Sequence, residues 1–249
     1  MVTRAAGLSD RGCKRQTNED RILVDADRGV FVVADGMGGE HCGEVAAETA
    51  VRYVNEYLQE KWSENHRTSG NSSDSAPRNC LVNAVQLANE KIWEISQALD
   101  ECAGMGTTIS IVLLSSESVV IGNIGDSRVY LFRDGELQRL TRDDTLVSTL
   151  VDEGKISLEK ARAHPLRNIV TLAVGRSKEI NVQTIETKLQ SGDQLLLSSD
   201  GLHGVLSSTE IAQIIGSPHD PQSKAHALVD AAKREGGPDN ISCIVVECP

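Results

Sequence analysis

Aromatic side chains are scarce in this 249-residue chain, at 3% of the whole. A core must therefore be assembled from Val, Ile, Leu and Ala, within a hydrophobic share of 39%. No apolar run reaches the ~18–20 residues that a membrane-spanning helix needs. The first residues, Met1 to Gly7, lack the apolar centre of a secretory leader, so a cytoplasmic location is expected. Basic residues are the minority, 25 Lys and Arg against 36 Asp and Glu, which leaves a formal charge of -11. That balance argues against nucleic acid or an anionic membrane as partner. The six cysteines (Cys13, Cys42, Cys80, Cys102, Cys243, Cys248) contain no CxxC pair, which argues against a zinc site. They are expected to be small buried hydrophobes in a reducing compartment.

Four aspartates at the ends of apolar runs, each with glycine close by, are the strongest signal present. They are Asp35 in Val33-Ala34-Asp35-Gly36, Asp126 in Gly125-Asp126-Ser127, Asp200 in Ser199-Asp200-Gly201 and Asp239 in Gly237-Pro238-Asp239. An apolar run followed by Asp-Gly predicts a carboxylate at a strand end, where glycine permits the turn. Four of them in an acidic chain predict oxygen ligands for hard divalent cations. The segment Arg11-Gly12-Cys13-Lys14-Arg15 places a basic cluster just before Glu19 and Asp20. Its arginines suit a phosphate, although on these residues alone a solvated basic turn is the better fit.

Periodicity predicts strands at 22–24 and 30–34 and amphipathic helices over about 43–59 and 78–99. A polar surface loop is expected at 63–77. Four strands, at 107–114, 118–124, 128–133 and 137–140, read as one meander with Asp134-Gly135 as a hairpin turn. A helical and irregular insert covers about 144–167. Strands follow near 181–186 and 194–199, helices near 208–215 and 221–234, and a last strand at 241–247. No repeat and no linker breaks the chain, so one domain is expected. The order fits an α+β fold, a central antiparallel β-sandwich with helix pairs outside, in four α-β-β-α layers. Asp35 and Asp200 follow their strands and Asp239 precedes its own. In antiparallel neighbours such ends lie side by side, so these carboxylates can share one edge. Such a cluster would suit phosphate-ester hydrolysis assisted by two Mg2+ or Mn2+ ions.

Six blocks carry a resemblance when taken in order: Asn18-Glu19-Asp20, Val33 to Gly39, Gly106-Thr107-Thr108, Gly122 to Arg128, Ser199-Asp200-Gly201-Leu202 and Gly237 to Ser242. Together they resemble the metal-dependent protein serine/threonine phosphatases of type 2C, in their compact bacterial form. The resemblance implies removal of phosphate from phosphoserine and phosphothreonine with two Mn2+ or Mg2+ ions and a third, weaker metal site. It implies that Asp35 bridges the two ions, that Gly36 gives its carbonyl to one, and that Asp200 and Asp239 hold the other. Asp20, or Glu19 beside it, would act through water; Arg15 would bind the substrate phosphate; Asp126, with Asp200, would hold the third metal. Residues 144–167 would form a flap beside the site, where His164, Pro165 and Arg167 fit either substrate contact or a helix-stop turn.

The chain departs from the family pattern at Met37, where many eukaryotic members carry a histidine that can protonate the leaving group. It departs again at Glu40-His41 and at Arg142-Asp143-Asp144-Thr145. No expected metal ligand is lost. Implied partners are phosphorylated proteins, a Ser/Thr kinase or an FHA-domain protein, and a monomer is expected. The rival readings are a catalytically silent relative that binds phosphoproteins and a hydrolase of small phosphate esters.

Overall fold

The structure, a computed structural model, describes residues 3–38, 42–62, 76–115 and 118–248. The first antiparallel sheet holds β1 (Arg4–Asp10), β7 (Arg128–Arg133), β8 (Glu136–Arg139), β10 (Gln194–Ser198) and β11 (Ile241–Glu247), in the order β1-β11-β10-β7-β8. The second holds β2 (Asp20–Asp25), β3 (Val30–Met37), β5 (Ile109–Leu114), β6 (Ser118–Ile124) and β9 (Gln183–Lys188), in the order β2-β3-β5-β6-β9, with β4 (Gly106–Thr107) added to β3.

Strand side chains alternate between two faces, so each sheet builds two cores. Val30 and Val32 of β3 join helices α1 (Cys42–Lys61) and α2 (Ala76–Ala98) in an outer core. Phe31 and Val33, one residue out of phase, meet Leu195, Leu197, Ile244 and Val246 of the other sheet in the central core. Ile241, Cys243 and Val245 pack beneath α5 (Asp200–His203), α6 (Ser208–Ile215) and α7 (Pro221–Arg234). Burial on both faces explains why these strands read as unbroken apolar runs. The result is the expected four layers. Two short helices, α3 (Leu146–Asp152) and α4 (Leu158–Arg162), lie in the insert. The loop expected at 63–77 falls outside the described residues up to 75, and Pro77 belongs to α2.

The structure corrects four expectations. Strand β1 went unread because Arg4-Ala5-Ala6-Gly7-Leu8-Ser9-Asp10 has no β-branched residue. Its pairing with β11 along its whole length forms it instead, and Gly7 leaves room for Val24 and Ile22. The four-strand meander does not exist: β5 pairs with β6 and β7 with β8, but β6 and β7 lie in different sheets. The chain crosses between sheets at Gly125-Asp126-Ser127, where Gly125 takes φ +96°. Nor does Asp35 end its strand, since β3 runs on to Met37. Gly36 and Gly201 are glycines for close approach rather than for turning. A Cβ would stand 2.0 Å from the Gly43 carbonyl in the first case and 1.9 Å from the Asn240 carbonyl in the second.

The fourth correction concerns the cysteines. Cys42, at the start of α1, and Cys102, just before β4, form a disulfide across 60 residues. Cys13 is exposed, Cys80 is partly buried, and only Cys243 and Cys248 are free and buried as expected of all six. The pair gave no sequence signal because the partners meet only once β4 adds to β3. Among the described residues no helix is long and apolar enough to cross a membrane.

Candidate active site

β2 and β3 are antiparallel with Asp20 opposite Asp35, which puts both carboxylates at one end of the second sheet. β10 and β11 are antiparallel too. Asp200 opens α5 just past β10, and Asp239 lies just before β11, so both reach the neighbouring end of the first sheet. The crossover between sheets delivers Asp126 to the same place. A cleft of about 470 Å³ there is lined by Arg15, Asp35, Gly36, Asp126, Asp200 and Asp239. Asp20 is 1% exposed and stands behind this wall, while its neighbour Glu19 is part of it. Another cavity, about 40 Å³ beside Arg78 and Thr184, gathers no such set.

Backbone clamps fix these groups. Thr108 Oγ1 accepts the Asp35 N–H at 3.1 Å, the Thr108 N–H donates to the Asp35 carbonyl at 2.8 Å, and Thr107 Oγ1 donates to that carbonyl at 2.9 Å. The Gly-Thr-Thr block thus holds Asp35 from the adjoining strand. Asn240 does the same for the Arg15 loop. Its Nδ2 donates to the carbonyls of Arg11 (3.0 Å) and Thr17 (2.8 Å), and its Oδ1 accepts the Glu19 N–H at 2.9 Å. Arg15 Nη2 then reaches Asp239 Oδ2 at 2.7 Å. The basic cluster is therefore not a free turn: Arg15 faces the carboxylates.

The carboxylates repel one another. Burial, then the charges of Asp200 and Asp239, push Asp20 up to about 7, although Ser242 and Ser199 hydrogen-bond to it. Asp126 is also pushed to about 7, by burial and then by Asp200 and Asp143. Asp200 rises to about 6 through burial and the Asp239 charge, restrained by a hydrogen bond with Asp35 and by Arg15 and Arg128. Burial and the charges of Asp20, Asp200, Asp126 and Asp239 hold Asp35 well above the ordinary carboxylate range.

The departures from the family pattern acquire places. Met37 lines the cleft, and His41 lies outside the described residues. Asp143 receives a two-pronged ion pair from Arg128 at 2.9 and 2.7 Å. Asp144 Oδ2 accepts the Gly125 N–H at 3.0 Å and pins the Asp126 crossover. From the insert region the cleft takes Asn168, Ile169 and Val170, beyond the expected flap boundary at 167. His164 Nδ1 accepts the Leu166 N–H at 3.1 Å, which favours the turn reading for that histidine. The sequence reading missed Thr108, Asn240 and Arg176 as site residues. The first two sit inside the quoted blocks; Arg176 sits in none.

A model described as protein phosphatase 2C matches residues 13–231. The chain belongs to this family. It is 36% identical over 251 residues to the serine/threonine protein phosphatase PstP of Mycobacterium tuberculosis, covering 99% of this chain and 45% of that protein. It thus spans under half the length of that relative. It is 37% identical over 242 residues to the serine/threonine phosphatase stp of Listeria monocytogenes, covering 96% of this chain and 93% of that one. It superposes with a TM-score of 0.84, at 34% identity over 99% of this chain and 98% of the other, on the catalytic domain of PstP in complex with two manganese ions.

The cleft of this protein phosphatase 2C member suits hard cations on its own terms. Its donors are oxygens, the shell that Mg2+ and Mn2+ take. Asp20 Oδ1 is buried without a hydrogen-bond partner. The carboxylates outnumber the two arginines of the wall, Arg15 and Arg176, a deficit of positive charge that cations would fill. Among the described residues no three acidic, imidazole or thiol side chains already converge on one point. The donors are spread along the cleft wall instead.

Proposed function

We propose that this chain is a metal-dependent protein phosphatase domain, residues 1–249 with a flap at 144–167, acting on phosphoserine and phosphothreonine in proteins. The supporting observation is the ring of aspartates at adjoining ends of two sheets, with Arg15 fixed beside Asp239 at 2.7 Å. Asp35, the Gly36 carbonyl, Asp200 and Asp239 would hold two Mn2+ or Mg2+ ions, and Asp126 with Asp200 a third. The ions, when bound, supply Lewis acidity toward a phosphoryl group and make water more acidic.

The chain's own residues do the rest. Arg15 offers a planar fork to the phosphoryl oxygens, and its salt bridge to Asp239 keeps the guanidinium at the mouth before substrate arrives. Asn240 keeps the Arg15 loop and Asp239 in one rigid unit, so phosphate and metal ligands share a fixed spacing. Asp20 supports Asp35 from behind, tied to the first sheet by Ser199 Oγ at 2.8 Å.

The test is hydrolysis of a phosphothreonine peptide with and without Mn2+. Turnover should depend on the metal, stop with chelator, and fall by orders of magnitude in Asp35→Asn and Asp239→Asn with the fold intact. Full turnover in excess chelator would sink the two-metal account. Wild-type turnover in either variant would remove that residue from it.

A further inference from the structure

Arg176 is the second arginine of the cleft wall. Arg15 is paired with Asp239 and Arg128 with Asp143. Arg176 is exposed and, among the described residues, forms no ion pair; its head group rests 3.9 Å from Met37 Sδ. Yet its position is closely controlled. Asn89, a 1% exposed residue of α2, accepts the Gly175 N–H at 2.7 Å and donates to the carbonyls of Ser177 (3.0 Å) and Lys178 (3.2 Å). Three hydrogen bonds from one buried amide therefore bracket Arg176 on both sides. Gly175 takes φ +89° with Ile92 packed where its Cβ would be, 2.0 Å away. The Arg176 stem lies over Gly106, with Cγ 2.7 Å from where a Cβ would stand there.

A long cationic side chain held this way gives up rotamer freedom with no acid among the described residues in return. Among the described residues nothing uses its charge, which leaves it open to a ligand from outside. The phosphoryl group is already served by Arg15. Arg176 rests against Met37 Sδ and over Gly106, which face each other across β3 and β4 of the second sheet, whereas Arg15 pairs with Asp239 beside the first. Arg176 therefore stands off the phosphate centre, on the wall past Met37, where the chain flanking a phosphorylated residue would run. We infer that Arg176 is a specificity residue that binds an acidic side chain, Asp or Glu, next to the phosphorylated residue of the protein substrate. This rests on the phosphatase reading above.

The test uses the Mn2+-loaded protein and two phosphothreonine peptides that differ only in glutamate against glutamine at the flanking positions. Both kcat/KM and Kd, by fluorescence anisotropy, are measured for wild type, Arg176→Ala and Arg176→Lys. Wild type should prefer the glutamate peptide by about tenfold, chiefly in KM and Kd, and the preference should shrink as salt rises. In Arg176→Ala the ratio should fall to about one, and Arg176→Lys should keep part of it. A ratio unaltered by Arg176→Ala overturns the inference. So does an equal loss on both peptides, which would place Arg176 at the phosphate or the metal loop. If wild type turns over neither peptide, the phosphatase reading falls, and the two Kd ratios still decide the role of Arg176.

Discussion

Removing the metal should make this protein unusual in its response to pH: the apo form should lose stability as pH rises from mildly acid to mildly alkaline. Asp20 and Asp126 are each raised from 3.8 to about 7 in the folded chain, and Asp200 to about 6. A carboxyl raised on folding keeps its proton in the native state over a range where the unfolded state has released it. Stability is then fully present below the unfolded value near 3.8 and is lost as pH climbs through the folded value. Between pH 5.5 and 8 the remaining rise to about 7 is worth roughly 2 kcal/mol for Asp20 and roughly as much for Asp126, at about 1.4 kcal/mol per unit. The two share Asp200 as a neighbour, so the sum is an upper bound.

His203 opposes them. Burial, then the charges of Arg128 and Arg139, hold its pKa well below 6.5, so it contributes stability above 6.5 that is lost on acidification. Over the same interval its contribution runs in the other direction. The carboxylates with lowered pKa, Asp10, Asp193, Glu210 and Asp220, finish titrating below this window. Several raised carboxyls oppose one lowered imidazole, so the carboxylate ring wins, by at most roughly 4 kcal/mol, a visible part of the ~5–15 kcal/mol of a typical domain. Urea unfolding of chelator-stripped protein at pH 5.5 and pH 8 measures it, and saturating Mn2+ should reverse the order by binding the native state. Apo protein that is equally or more stable at pH 8 would refute the claim that uncompensated charge crowds this cleft.

Arg15→Ala should raise KM with a smaller change in kcat, since it removes phosphate binding more than metal chemistry; an unchanged KM refutes that role. Asn240→Asp should cost about 3 kcal/mol in urea unfolding, because a carboxylate would face the Arg11 and Thr17 carbonyls that the amide now serves. A near-neutral result would mean the Arg15 loop is held by something else. Gly201→Ala should cost about 1–3 kcal/mol and weaken Mn2+ binding measured by calorimetry, since its Cβ would displace the Asn240 carbonyl from 1.9 Å; wild-type metal affinity would separate Gly201 from the site. Reducing the Cys42–Cys102 bridge, which spans 60 residues, should lower stability by about 4 kcal/mol on chain-entropy grounds. An unfolding midpoint indifferent to reductant would contradict it.

What was legible in the sequence was local, and what was not was relational. The apolar runs of β3 and β11 and the three- and four-residue spacing in α1 and α2 survive into the structure because each is set within its own segment. The grouping of Asp35, Asp200 and Asp239 was readable because strand ends and antiparallel pairing together imply a shared edge. Asp126 was named for its Gly-Asp-Ser block, but its route was misread. A four-strand meander would have left it at a hairpin, whereas the crossing between sheets at Gly125 to Ser127 carries it into the cleft. The same limit explains Gly36 and Gly201. Their sequence neighbours advertise turns, but the constraint is a carbonyl from Gly43 or Asn240 that no local window contains. Arg176 is the extreme case: its loop is set by Asn89, far back in the chain on the second helix, and its stem by the absence of a side chain at Gly106. A residue whose position depends on one distant amide and one missing Cβ leaves no pattern in its own stretch of sequence, although its charge opens onto the same cleft as the ligands that did.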